Sequence, residues 1–250
     1  MNDNDGGATA NFGFRAIRKE EKLPLVLEVF DDVASRYDLM NDLMSAGIHR
    51  LWKRAMVRWL RPRPSMTLLD VGGGTGDIAF RFLEKGGGRA VVCDINEEML
   101  AVGRERAASR AIENVSWLIG DAEALPFPDG SFDAYTIAFC LRNVTHIDRA
   151  LAEARRVLRP GGRFLCLEFS HISLSLVRRL YDGYSFHILP KLGGAIAGNR
   201  DAYQYLVESI RLFPEQGELA RMMKDAGFRR VTWRDQSMGI SAIHSGWRGL

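Results

Sequence analysis

The stretch LLDVGGGTGD, residues 68–77, places four glycines directly behind a short apolar segment. The segment at 67–71 has the composition of a buried strand, and glycine lets a backbone turn sharply and come close to a ligand. In an open α/β sheet, ligands bind at the carboxyl ends of the strands. A helix that begins near Thr75 and Gly76 would present free N–H groups to a negative group there. The stretch therefore predicts a ligand site at this turn.

Strands and helices alternate through the residues that follow. Predicted strands cover 67–71, 90–94, 115–121, 132–139 and 163–169. Four helices are predicted: one after the glycine turn, one from about Asn96, one at 149–158 and one at 214–228. The last two candidate strands are 230–235 and 238–247. Short apolar strands that alternate with helices are typical of a mostly parallel sheet covered on both faces. We therefore expect an α/β fold.

The regions around this alternation predict one elaborated domain. We expect a flexible arm at 1–22, which is polar and rich in Gly, Asn and Asp at first, and a single domain over 23–250. The domain is predicted to have four parts. They are a helical lid (23–64), a cofactor-binding core (65–171), a helical insertion (172–212) and a final helix with strands (213–250). The lid would contain helices at 24–44 and 48–60, broken at Gly47.

The composition argues against a nucleic-acid-binding, disulfide-rich or membrane-spanning protein. The 250 residues are 46% hydrophobic and 26% charged, and their net charge of +3 is too small to indicate nucleic acid. Cys93, Cys140 and Cys166 lie in apolar runs without a Cys-x-x-Cys pair, so we expect buried thiols and no metal site. No apolar signal segment or membrane-length stretch is present, which predicts a cytoplasmic protein.

Two groups of arginines interrupt this ordinary composition. They are Arg54, Arg58, Arg61 and Arg63, and Arg155, Arg156 and Arg159. Solvated helix faces and ends are the preferred interpretation, and phosphate binding is the alternative.

The glycine spacing separates two classes of nucleotide-like cofactor. A dinucleotide fingerprint needs glycine at the sixth position from Gly72, where this chain has Asp77, so a dehydrogenase is disfavoured. Residues 72–76 instead read Gly-x-Gly-x-Gly. With Asp70 before the turn and Asp94 at the end of the second strand, the pattern resembles class I S-adenosylmethionine-dependent methyltransferases.

That resemblance implies S-adenosylmethionine as the cofactor. In it, Asp94 accepts from the ribose hydroxyls, Asp121 accepts from the adenine amine, and the Ala122 backbone meets the ring edge. The full implied set is Asp70, Gly72, Gly74, Thr75, Gly76, Asp94, Ile95, Asp121, Ala122 and Ala138. The resemblance implies a Ser in contact with the cofactor where this chain has Ala138, so this one hydrogen bond is not expected here, whereas the activity is.

The segment after the fourth strand bears on the methyl acceptor. AFCLRNVTHID, at 138–148, lacks the Asn/Asp-Pro-Pro-aromatic motif of amine methylases. YDLMNDLMSAGIHRLWK (37–53) and RVLRPGGRFLCLEFS (156–170) resemble the two signature segments of the ubiquinone/menaquinone biosynthesis C-methyltransferase family. NFGFRAIRKEEK (11–22) and ISAIHSGWR (240–248) are also similar to that family, so the resemblance covers nearly the whole chain.

The family resemblance carries expectations for fold and function. It implies a Rossmann-like class I methyltransferase fold, with a mostly parallel seven-stranded sheet flanked by helices. It also implies methylation of a ring carbon of a polyprenylated quinol, either a methoxy-benzoquinol or demethylmenaquinol or both. Contact with a membrane surface, a quinone-biosynthesis complex or a homodimer stays open. The alternatives are a phenol O- or sterol C-methyltransferase, and a non-catalytic cofactor-binding scaffold.

The chemistry of ring methylation selects the candidate catalytic residues. A ring carbon becomes nucleophilic when the neighbouring hydroxyl is deprotonated, so the site must hold a phenolate-like oxygen and later accept the ring proton. Tyr37 and Asn143 are predicted to orient the ring oxygens, and Arg142 to stabilise their negative charge. His49 is the nearby side chain with a suitable ordinary pKa to take the proton.

Structural interpretations compete with these roles. Tyr37 could be a solvated helix residue, His49 and Asn143 could be caps, and Arg142 could pair with Asp148. Further candidate bases are Asp38 and Glu168, whereas His146, His171 and Trp52 are expected to be structural.

Two segments are candidate covers of the site. Residues 37–52 are predicted to lie over the cofactor as a lid. Tyr181, Tyr184, Phe186, Leu189 and Leu192 of the insertion could roof a groove for an isoprenoid tail or form an ordinary helical cap.

Overall fold

The computed structural model describes residues 9–33, 42, 45, 47–171 and 200–250. Its strands are β1 (Thr9–Phe12), β2 (Arg15–Arg18), β3 (Thr67–Val71), β4 (Arg89–Asp94), β5 (Val115–Ile119), β6 (Phe132–Ala138), β7 (Leu158–Phe169), β8 (Phe228–Gln236) and β9 (Ser241–Arg248). Its α-helices are α1 (Lys19–Val33), α2 (His49–Leu60), α3 (Asp77–Glu84), α4 (Glu97–Ser109), α5 (Ile147–Val157), α6 (Arg200–Leu212) and α7 (Gln216–Asp225). Short 3₁₀ turns lie at Leu141–Asn143 and Ser237–Gly239.

Seven strands form one sheet in the order β5-β4-β3-β6-β7-β9-β8. Strands β3 to β7 pair in parallel, whereas β9 pairs antiparallel with both β7 and β8. The chain order reverses on either side of β3, and ligands bind at such switch points in open α/β sheets. The predicted α/β class and mostly parallel seven-stranded sheet are confirmed.

Apolar helix faces cover both sides of the sheet. Leu68 of β3 packs in a core with residues of α2, α3, α4 and α6, whereas Leu69 packs with residues of α5 and α7. Both leucines are fully buried, as alternate side chains of a doubly covered strand should be. This packing fixes the carboxyl end of β3, from which the glycine turn starts.

The N-terminal segment differs from the predicted flexible arm. Within 1–22, β1 and β2 form an antiparallel hairpin, and α1 begins at Lys19. The hairpin docks on α6, because the Phe14 N–H donates to Glu208 Oε2 at 2.9 Å and Phe12 stacks on Tyr205 with ring centroids 4.2 Å apart. A short tight hairpin of this kind has little apolar periodicity, which is why composition suggested an arm.

Some predicted segments begin at a different residue or lie outside the described residues. The predicted helix at 24–44 begins earlier, at Lys19, and its part after Val33 is outside the described residues except for 42. Most of the insertion, 172–199, is likewise outside them, with all five of its singled-out aromatic and aliphatic residues. Across the described ranges, no helix is both long and apolar enough to cross a bilayer. The three cysteines are free thiols.

Candidate active site

The glycine turn after β3 has a backbone that side chains would obstruct. Gly72, Gly74 and Gly76 all have positive φ, at 58°, 52° and 81°. A Cβ on Gly72 would lie 2.2 Å from the Cys140 Sγ, and this distance is far below any van der Waals contact. The turn can therefore pass close to the segment after β6 only because position 72 has no side chain.

Asp94 links the end of β4 to this turn. Its Oδ2 accepts from the Gly74 N–H at 2.8 Å, and its Oδ1 accepts from the Asn96 N–H at 3.0 Å. Burial raises the pKa of the carboxyl, and these backbone N–H groups oppose the rise. Each carboxylate oxygen keeps a second lone pair, so Asp94 can still accept from two ligand hydroxyls.

The segment after β5 forms the next wall. Asp121 Oδ1 accepts from the Glu123 N–H at 2.9 Å, which closes a tight turn around the buried Ala122. Glu123 in turn holds the loop before α5, since its Oε1 accepts from the N–H groups of Thr145 and His146 at 2.7 and 2.8 Å. Glu123 was not predicted from the sequence, since its role depends on these tertiary hydrogen bonds.

These segments enclose a cavity of about 440 Å³ at the carboxyl ends of the strands. Six predicted cofactor residues line it, Gly72, Gly74, Asp94, Ile95, Asp121 and Ala122, and so does the candidate catalytic residue Asn143. Its roof is α1, which contributes Lys19, Glu20, Leu23, Val26 and Leu27. The sequence had assigned the cover to residues 37–52; of these, 37–41, 43, 44 and 46 are outside the described residues, so the described roof lies earlier in the chain.

Four predicted cofactor residues are not in the described lining of the cavity. Asp70 is fully buried and accepts from the Thr136 hydroxyl at 2.7 Å, and burial raises the pKa of its carboxyl to about 7. Thr75 is buried and its hydroxyl accepts from Arg106 at 3.1 Å. Gly76 precedes α3, and Ala138 ends β6.

Asp77, which broke the dinucleotide pattern, has a structural role here. Its two carboxylate oxygens accept from Lys53 Nζ at 2.9 Å and from Arg81 Nε at 2.8 Å. Burial alone would raise the pKa of this carboxyl, but the two cations hold it at about 2. The contact joins α2 to the first turn of α3, directly behind the glycines.

Asn143 is held by Tyr205, a residue that was not predicted from the sequence. The Tyr205 hydroxyl of α6 donates to Asn143 Oδ1 at 3.1 Å, and the Asn143 backbone N–H donates to the Cys140 carbonyl at 2.8 Å. Because Tyr205 also stacks on Phe12, the N-terminal hairpin, α6 and Asn143 form one connected unit.

Arg142 forms a buried ion pair. Its Nη1 donates to Glu168 Oε2 at 2.9 Å, and both side chains are almost fully buried. Burial raises the pKa of Glu168, and Arg142 opposes the rise. The partner of Arg142 is thus Glu168 of β7 and not Asp148, so the pairing considered from the sequence is wrong. Arg142 does not contact the main cavity; it lines a neighbouring one of about 260 Å³ beside Tyr205.

The remaining candidates lie before and within α2. His49 is buried, its Nε2 lies 2.9 Å from Asp42 Oδ1, and burial lowers the pKa of its imidazole. Trp52 is packed against Phe139 and Phe169, which confirms its structural role. The predicted catalytic residue Tyr37 and the candidate base Asp38 are outside the described residues.

Comparison with known proteins identifies the family. Residues 16–248 match the model of the ubiE/COQ5 methyltransferase family. The chain belongs to this family. Relatives within it include proteins named ubiquinone/menaquinone biosynthesis C-methyltransferase UbiE, from Paracoccus denitrificans (58% identical, covering 95% of this chain and 96% of the relative) and Brucella anthropi (56% identical, covering 97% and 94%).

Solved structures confirm the methyltransferase fold. A Thermotoga maritima protein described as an S-adenosylmethionine-dependent methyltransferase aligns with a TM-score of 0.63 and 21% identity, over 89% of this chain and 99% of its own. A Haemonchus contortus phosphoethanolamine N-methyltransferase in complex with S-adenosylmethionine aligns with a TM-score of 0.59 and 16% identity, over 80% of this chain and 53% of its own. As a ubiE/COQ5 family member, the chain is a methyltransferase, and its methyl donor is S-adenosylmethionine.

Proposed function

We propose that this protein transfers a methyl group from S-adenosylmethionine to a ring carbon of a polyprenylated quinol, in ubiquinone biosynthesis, menaquinone biosynthesis or both. The identity of 58% over nearly the full length of a relative with that printed activity supports it. The observation that carries it is the cavity, which joins the Asp94 carboxylate to the apolar roof residues Leu23, Val26 and Leu27. A polar cofactor and an apolar acceptor can meet in such a space.

The residues present fit the cofactor. Asp94 is proposed to accept from the ribose hydroxyls, and Asp121 and the Ala122 backbone to bind the adenine. The turn is open at Gly72 and Gly74, because both residues have positive φ and no Cβ. The backbone is therefore proposed to reach the ligand there. When bound, S-adenosylmethionine supplies an electrophilic methyl group on a sulfonium. Aligning an acceptor with such a group is worth roughly 7–11 kcal/mol in well-oriented systems.

Three predicted cofactor residues outside the cavity lining are proposed to support the turn. Asp70, buried under it, and Thr75 and Gly76, at the start of α3, are proposed to fix its shape. Ala138 is proposed to leave the cofactor one hydrogen bond short of the family pattern.

The acceptor side needs groups that orient the ring oxygens. Asn143 lies on the cavity, and Tyr205 occupies its Oδ1, so its amide N–H₂ can donate to a ring oxygen. Tyr37 is proposed for the same task. Arg142, the residue before Asn143, is proposed as a positioning residue, because its charge is paired with Glu168.

His49 is proposed as the group that takes the ring proton. Burial lowers the pKa of the imidazole, which favours its neutral form. If Nε2–H donates to Asp42, Nδ1 carries the lone pair; this nitrogen is buried and His49 is not in the described lining of the cavity, so the proton is proposed to reach it through an intervening group. Glu168 is less suited as a base, because its carboxylate is engaged by Arg142.

We also propose that the quinol tail lies along an apolar surface and that the protein acts in the cytoplasm, in contact with a membrane surface where its lipophilic substrate resides. A quinone-biosynthesis complex or a homodimer would be compatible with this arrangement.

The test is methylation of a demethylmenaquinol analogue and a methoxy-benzoquinol analogue with labelled S-adenosylmethionine. We expect label on a ring carbon, and Tyr37→Phe should lower kcat more than cofactor affinity. Label on oxygen alone would instead indicate a phenol methyltransferase. Cofactor binding without turnover on any quinol would indicate the scaffold alternative.

A further inference from the structure

A second concave site lies at the opposite end of the sheet from the methyltransferase cavity. It is a cleft of about 830 Å³, and its lining includes Met66, just before β3, and Asp133, near the start of β6. The methyltransferase cavity meets the other end of β3, at Val71 and Gly72. A five-residue strand is roughly 17 Å long, so the two sites are separate.

The cleft is strongly cationic. Its lining contains six arginines, Arg58, Arg61, Arg63, Arg159, Arg163 and Arg234, and one acid, Asp133. Arg159 is paired with that acid at 3.0 Å. Within the part of the chain that the structure describes, the other five arginines form no ion pair with a carboxylate. Five of the six are exposed, as the solvated helix faces and ends preferred from the sequence require, and their convergence on one cleft favours the alternative of phosphate binding.

Arg163 forms the floor of the cleft and is 8% exposed. Its guanidinium lies over the rings of Trp59 and Trp247, with its Cζ 5.2 and 4.9 Å from their centroids. Its Nε donates to Ser245 Oγ at 3.0 Å, and its Nη1 donates to the Trp59 carbonyl. The orientation of this cation is therefore fixed by neutral groups, and its charge is not neutralised by them.

The neighbouring cations act on Arg163. Burial, with smaller effects from Arg234 and Arg61, lowers the pKa of its guanidinium to about 10. Arg234 stacks on the Trp59 ring, with its Cζ 4.2 Å from the centroid. Like charges gathered in one cleft repel one another, and a bound anion would offset that repulsion.

We propose that this arginine cleft binds a phosphate or diphosphate group, with Arg163 at its floor. Guanidinium groups match phosphate oxygens in pairs of parallel hydrogen bonds. A phosphate carries close to two negative charges at neutral pH, which suits several converging arginines better than a single carboxylate does. The group can belong to a soluble phosphate compound or to a phospholipid headgroup.

The first test is calorimetric titration of the full-length protein with pyrophosphate at low salt. We expect Arg163→Gln to weaken binding about tenfold or more, the ratio that a charge-assisted hydrogen bond is worth. Arg221→Gln is the matched control, since it removes the same charge from the exposed Arg221–Glu218 pair on α7. If circular dichroism shows that Arg163→Gln does not fold, the exposed double variant Arg63→Gln/Arg234→Gln takes its place, with the same expectation.

Further arms distinguish the sources of the phosphate. The protein is sedimented with phosphatidylglycerol vesicles and, separately, with phosphatidylcholine vesicles. Binding to the first and not to the second, lost when the same arginines are replaced, would assign the site to a phospholipid headgroup. Absence of binding to both pyrophosphate and phosphatidylglycerol, or equal effects of the cleft and control variants, would overturn the proposal. Tighter binding of polyglutamate than of pyrophosphate would overturn it in favour of an acidic protein segment.

Discussion

The Asp94 carboxylate accepts a hydrogen bond from the Gly74 N–H at 2.8 Å, so the end of β4 and the turn after β3 are joined as one unit. The same side chain is proposed to hold the cofactor ribose. A ligand bound at Asp94 therefore meets a backbone that is already positioned, and little ordering entropy is lost on binding.

Asp94→Ala should weaken S-adenosylmethionine binding about a hundredfold, since hydrogen bonds to a charged group contribute about 1.5–3 kcal/mol each. Isothermal titration calorimetry measures the dissociation constant of S-adenosylmethionine directly. Glu98→Ala, an exposed acidic residue in the first turn of α4, is the control and should bind as the parent does. Unchanged affinity in Asp94→Ala would remove Asp94 from the site.

Gly72→Ala should lower both stability and cofactor affinity. The new Cβ would lie 2.2 Å from Cys140 Sγ, at a φ of 58° that alanine adopts at a cost. We expect a loss of about 1–3 kcal/mol in the free energy of unfolding from strain of this kind. Gly217→Ala in α7 has open space around its Cβ and should not be destabilising. Equal stabilities of the two variants, measured by urea denaturation, would contradict the crowded turn.

Asp70→Asn should change how stability depends on pH. The folded-state pKa of Asp70 is raised from 3.8 to about 7, so the folded protein favours the protonated carboxyl. The contribution of Asp70 to the free energy of unfolding is therefore fully present below about pH 4 and is lost as the pH rises through 7. Asparagine cannot ionise, so the variant should gain about 1–3 kcal/mol on the parent between pH 5 and pH 8. Urea denaturation of the ligand-free proteins at both pH values measures this. If the two proteins differ in free energy of unfolding by the same amount at pH 5 and pH 8, Asp70 ionises normally.

Tyr205→Phe should lower kcat while leaving cofactor affinity unchanged. The variant keeps the stacking on Phe12 but loses the hydroxyl that donates to Asn143 Oδ1. Asn143 could then rotate its amide, and a misaligned donor costs transition-state stabilisation. Kinetics and calorimetry on one preparation separate the two effects. Tyr135→Phe offers a control, because Tyr135 is a buried tyrosine on the other face of the sheet.

Glu168→Gln should destabilise the protein strongly, because it leaves Arg142 buried without its carboxylate. Breaking one side of a buried pair costs about 3–5 kcal/mol. Glu218→Gln breaks the exposed pair with Arg221 and should cost about 1 kcal/mol or less. Similar losses in the two variants, measured by thermal unfolding, would show that the Arg142–Glu168 pair is solvated.

The parallel core was predictable because its strands are short apolar runs bounded by glycines and acids. The predicted strand at 67–71 is the observed β3, and β4 and β6 differ from prediction by one residue. The hairpin at Thr9–Arg18 was not predictable, since its stability comes from contacts with Glu208 and Tyr205, nearly two hundred residues away in sequence. Local pattern carries no information on such contacts.

The candidate site divides in the same way. Gly72, Asp94 and Asp121 each follow a strand, so their convergence is a consequence of parallel topology. Glu123 and Tyr205 act through tertiary hydrogen bonds, and no spacing in the sequence indicates them. The ion pair of Arg142 with Glu168 depends on the pairing of β6 with β7, which sequence alone left open.

The last strand of the chain, β9, lies between β7 and β8. Among the described strands, β8 hydrogen-bonds to β9 alone, although β8 precedes it in sequence. During synthesis, β8 thus leaves the ribosome before its partner exists, and the outer edge of β7 stays open until Ser241–Arg248 has emerged. The sheet is therefore completed only when β9 enters between β7 and β8, and every described backbone hydrogen bond that ties β8 to the sheet is made through β9.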